Sequence, residues 1–78
     1  MRVTVHDVEW MAGTSSIGQR LGLARRAQGY TQTQLATRAG LGLASVKNYE
    51  RGVTVPRRHA LESLADALGV PDGWLRDG

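Results

Sequence analysis

Residues Gln32 to Arg51 read QTQLATRAGLGLASVKNYER, and this stretch decides the fold. Leu35, Ala36 and Ala39 recur three and four residues apart, which sets them on one face of a helix. Leu41, Val46 and Tyr49 supply apolar positions on the far side of a turn. Ala36 is small where the second helix must cross closely. Gly40 follows the first helix at a point that needs a left-handed residue, which glycine adopts without steric cost. Two short helices folded about Gly40 make a helix-turn-helix. The same features also describe an ordinary helical hairpin in a small bundle.

Working outward, 78 residues predict one domain. Phe is absent, so the core must be Leu, Val and Ala with help from two Trp and two Tyr. A core of this size is usually marginal without staples. The chain has no cysteine, which excludes disulfides and thiolate metal sites and leaves packing and caps to supply stability. Cysteine-free composition suits the cytoplasm. No apolar run approaches the roughly 20 residues of a membrane span, and the N-terminus lacks a signal-peptide pattern, so a soluble protein is expected.

Charge is distributed unevenly. The net charge is +3, and nine of the ten basic residues are Arg, whose planar fork suits phosphates and guanine edges. Residues 17–58 hold Arg20, Arg25, Arg26, Arg38, Lys47, Arg51, Arg57 and Arg58 against one acid, Glu50. Glu62, Asp66, Asp72 and Asp77 follow beyond that segment. Such polarity reads as a footprint for an anionic polymer.

Residues 1–16 stand apart as an N-terminal extension. RVTVH alternates like a short strand, and a Gly-Thr-Ser-Ser break follows. Arg2 is set against Asp7 and Glu9, which disfavours a DNA-contacting arm. Val3, Val5, Val8 and Trp10 suit packing on the domain or on a second subunit.

A first helix is expected over about 17–28, with Ser16 and Gln19 as a capping box and Ile17, Leu21, Ala24 and Gln28 on one stripe. Thr31 and Gln34 form a second box, opening a helix that stops at Ala39. The third helix spans about 43–51. The fourth spans about 57–68 and buries Leu61, Leu64, Ala65 and Leu68. Pro71 opens a last short turn carrying Trp74 and Leu75. The expected fold is all-α, with five short helices.

Three segments together, IGQRLGLARRAQGYTQ at 17–32, the unit at 32–52 and LESLADALGV at 61–70, resemble the lambda-repressor-like, Cro/repressor-type DNA-binding domain. The final VPDGWLRDG is similar to the C-terminal turn of several phage repressor domains. The resemblance covers about 17–78. It implies a compact five-helix bundle that binds operator DNA, usually as a two-fold dimer. It implies that Glu50 pairs with Arg25, tying the third helix to the first; the alternative is a solvent-exposed pair worth about 0–1 kcal/mol. It also implies that Gln32 touches the DNA backbone and braces the base-reading side chains.

Phosphates are expected at the N-terminus of the second helix, where free N–H groups and the helix dipole attract anions. Arg51, Arg57 and Arg58 are further phosphate candidates. Base reading falls to Leu43, Ala44, Ser45, Lys47 and Asn48 on the third helix. The family often carries Gln, Arg or Ser at its first two helical positions, so Leu43 and Ala44 depart from it. Their side chains can pack on a thymine methyl but cannot donate to base edges, which leaves Asn48 for adenine and Lys47 for guanine. Val70, Trp74 and Leu75 form an apolar cluster that serves either a homodimer contact or the bundle core.

Enzymatic activity finds no support. His6 and His59 lack metal-ligand spacing, and neither a nucleophile motif nor a phosphate-binding loop occurs, so no cofactor or metal is expected. The competing reading is an antitoxin or anti-repressor that uses this fold to bind a regulatory protein partner.

Overall fold

Ser16 and Thr31 open the first two helices as the sequence predicts. In each box the side chain accepts the N–H of the residue three positions on, and Gln19 or Gln34 accepts the cap's own N–H. The computed structural model describes residues 16–78. Their elements are α1 (Ile17–Ala27), α2 (Gln32–Ala39), α3 (Leu43–Arg51), α4 (Arg58–Leu68) and α5 (Asp72–Asp77). The expected ends shift by one residue at two places. Gln28 caps the C-terminus of α1, and Arg57 precedes α4 as its N-cap. Apart from Ser16, the readings made for the N-terminal extension fall outside the described residues.

Gly40 takes the left-handed conformation the turn requires, with φ at 69°. Its N–H and that of Leu41 return to the carbonyls of Thr37 and Ala36, at 3.2 and 2.9 Å, and close α2. α1 then packs on α3 and α5, α2 on α3 and α4, and α4 on α5. The space between them is filled by Leu21, Leu35, Val46, Leu64, Leu68 and Leu75, all fully buried, with Ala24, Ala36, Leu61, Ala65 and Trp74 completing the core. Ala36 is buried on α2, which packs against both α3 and α4.

Trp74 and Leu75 are thus covered within the chain, while Val70 is half-buried beside them. A six-residue helix has room for one apolar face, and α5 turns that face onto the bundle.

Two polar side chains secure the far end of the fold. Arg20 is buried and donates to the Leu75 carbonyl at 3.0 Å and the Arg76 carbonyl at 2.7 Å, answering the negative end of α5. Gln28 donates to the Leu68 carbonyl at 2.8 Å and so caps α4 from α1.

Candidate nucleic-acid interface

Val46 is buried in the core and fixes which side of α3 faces inward, with Tyr49 packed partly against it. By helical spacing Ala44, Lys47 and Arg51 turn away from Val46, while Leu43, three residues before it, lies at the edge of its face. Leu43, Lys47 and Arg51 recur every fourth residue, with Ala44 beside them, and all four are exposed. Ser45 and Asn48 are half-buried. Gly42 precedes α3 as N-cap with no side-chain hydrogen bond. Of the five expected base readers, Ala44 and Lys47 are exposed and Leu43 is 37% exposed.

Glu50 turns the other way. Its carboxylate accepts two hydrogen bonds from Arg25, at 2.6 Å from Nε and 3.1 Å from Nη2. The side chains are 13% and 10% exposed, for Arg25 and Glu50 respectively, too covered for an ordinary surface pair. Arg25 also donates to the Tyr30 carbonyl at 2.8 Å, so one guanidinium joins α1, the α1–α2 turn and α3. Gln32 donates its amide to Glu50 at 3.3 Å. Its side chain is therefore engaged with the α3 carboxylate, at the first position of α2.

The basic footprint is smaller than the residue count suggested. Arg20 faces the α5 carbonyls and Arg25 faces Glu50, so neither belongs to the open surface. Arg38 lies over the Tyr30 ring, 4.6 Å from its centroid. Arg26, Arg38, Lys47, Arg51, Arg57 and Arg58 remain exposed. The 3.9 Å approach of Arg58 to Glu62 is an exposed contact worth little. On the α4–α5 side, Glu62, Asp66 and Asp72 line one open cleft with Ser63 and Val70. With Glu50 neutralised, positive charge gathers around α3 and the loop after it, and negative charge on the α4–α5 side.

Sequence reasoning missed Arg20, Gly18 and Gly22. Arg20 lies three residues after Ile17 and four before Ala24, inside the apolar stripe, so its burial was legible from spacing. Gly18, Gly22 and Arg25 form a second stripe on α1 that faces α3. A Cβ on Gly18 would collide with the Tyr49 carbonyl oxygen and stand 2.9 Å from that of Glu50; one on Gly22 would come within 3.3 Å of the Glu50 carboxylate.

A family described as a helix-turn-helix domain matches residues 16–77. The chain belongs to this helix-turn-helix family. Two relatives agree with the Cro/repressor-type resemblance. The chain is similar to the cryptic phage CTXphi transcriptional repressor RstR of Vibrio cholerae serotype O1, 41% identical over 54 residues, which cover 69% of this chain and 48% of RstR. It is also similar to the HTH-type transcriptional regulator ImmR of Bacillus subtilis, 35% identical over 60 residues, covering 77% of this chain and 47% of ImmR. The chain spans about half the length of the curated relatives it matches. Among the described residues of the helix-turn-helix domain, no helix is long and apolar enough to cross a membrane.

Proposed function

We propose that this helix-turn-helix domain is a non-enzymatic transcriptional regulator that binds operator DNA, laying α3 in the major groove. One observation carries the reading: the only acid in residues 17–58 is turned inward onto Arg25, so the open face of α3 presents Lys47 and Arg51 without a competing charge. Leu43, Ala44, Ser45, Lys47 and Asn48 meet the base edges. Arg51, Arg57 and Arg58 hold phosphates and set the register. At the start of α2, the N–H groups of Gln32 and Thr33 precede the first intrahelical bond and are available to a phosphate. Gln32 braces Glu50 with its side chain while its backbone meets the DNA.

Two copies on a near-palindromic site place their recognition helices about 34 Å apart. With Trp74 and Leu75 occupied in the core, the homodimer contact falls to half-buried Val70 and to exposed Val53 and Val55.

Salt dependence tests the reading directly. Neutralising six phosphates gives a slope of log affinity against log salt near −5. Gel shifts at several ionic strengths measure it, and a flat response removes DNA as the ligand. Asn48→Ala is expected to relax preference at one base pair per half-site by about 1–3 kcal/mol, measured on single-substitution duplexes. Equal weakening on every sequence makes Asn48 a phosphate contact instead.

A second reading has its own support. Val53 and Val55, in the loop after α3, are 59% and 68% exposed, which suits a protein partner as in an antitoxin or anti-repressor. Retained partner capture by a Lys47→Ala, Arg51→Ala variant that no longer shifts DNA favours that reading.

A further inference from the structure

Leu43 is the first residue of α3 and the exposed large apolar side chain of that helix, 37% exposed. Ala44 is exposed next to it, and Gly42 before it contributes no side chain. Leu43 and Ala44 thus present hydrocarbon at the leading end of the reading face, with Ser45 half-buried beside them and the exposed ammonium of Lys47 one turn later. A hydrocarbon neither donates nor accepts, so it cannot tell the O4 acceptor of thymine from the N4 donor of cytosine. It responds to the C5-methyl group that projects into the major groove.

Resting on the DNA reading above, we propose that Leu43 and Ala44 recognise the C5-methyl of a pyrimidine, so that 5-methylcytosine can replace thymine at that position of the half-site. Lys47, one turn on, anchors the neighbouring purine and fixes the register in which the methyl is met. Binding at this position then responds to cytosine methylation as well as to sequence. Covering one methyl group is worth about fourfold in affinity.

The test uses the full chain and a half-site recovered by selection from random duplexes. At each pyrimidine, four duplexes are compared by fluorescence anisotropy, carrying T·A, U·A, 5-methyl-C·G or C·G. Thymine against uracil, and methylcytosine against cytosine, each differ by the methyl alone. The expected result is one position where both methylated forms bind about fourfold tighter, with both ratios falling to about one in Leu43→Ser. Leu43 is at the surface, and a thermal melt of the variant checks that the fold is kept. Equal affinity of every pair, a response to thymine without one to methylcytosine, or ratios unchanged in Leu43→Ser would each overturn the proposal. Failure to bind any duplex at low salt sinks the DNA reading itself, a separate outcome.

Discussion

Gly18→Ala is expected to destabilise the domain by about 3 kcal/mol, although alanine is the better helix former. In an open helix interior the change would stabilise by up to about 1 kcal/mol. Here the added Cβ meets the backbone carbonyls of Tyr49 and Glu50, which cannot rotate away as a flexible side chain could. Either α1 withdraws from α3, opening gaps around Val46 and Leu21, or the last turn of α3 deforms. Both routes lose close-packed contacts. Gly73→Ala is the internal control, because nothing lies within 4 Å of its added Cβ and its φ is not in the left-handed region. That variant is expected to gain about 0.4–1 kcal/mol. Urea unfolding of the two proteins checks the contrast, and equal stability would show that α1 and α3 are not in the close contact described. Because α1 is the surface against which α3 is seated, Gly18→Ala is also expected to weaken DNA binding more than its loss of folded fraction explains.

Glu50→Gln is expected to lower stability by about 3 kcal/mol, a fall of about 12–24 °C in Tm for a domain of this size. The glutamine keeps the shape but leaves the Arg25 guanidinium largely covered and without its counter-charge. It also deprives Gln32 of a charged acceptor. A surface pair would cost 1 kcal/mol or less, so thermal melting separates the two cases by a wide margin. The paired variant Arg25→Met, Glu50→Leu should recover part of the loss, since a covered ion pair contributes little beyond a well-packed apolar one. Recovery stays incomplete because Arg25 also satisfies the Tyr30 carbonyl. No loss in Glu50→Gln would mean that α3 is held by Val46 and its neighbours alone.

The site was legible in the sequence to the extent that helix spacing fixes direction. Ala44, Lys47 and Arg51 turn away from Val46 by helical spacing, which is enough to place them outward, whereas Leu43, three residues before Val46, is exposed only at the edge of that face. Their neighbours on the basic stretch were not separable in that way. Arg20, Arg25 and Arg51 are chemically alike, yet one answers the carbonyls of α5, one answers Glu50, and one is exposed. Their partners are 55, 25 and no fixed number of residues away, so composition counted all three as one footprint.

The five helices, both capping boxes and the left-handed turn at Gly40 were readable from residue order alone, because each depends on contacts between near neighbours along the chain. Helix packing, not local pattern, made Gly18 a contact surface for α3, brought Trp74 and Leu75 into the core, and left only some cations free to meet an anion. Those outcomes depend on which helix faces which, and that is set by the summed burial of residues distant in sequence.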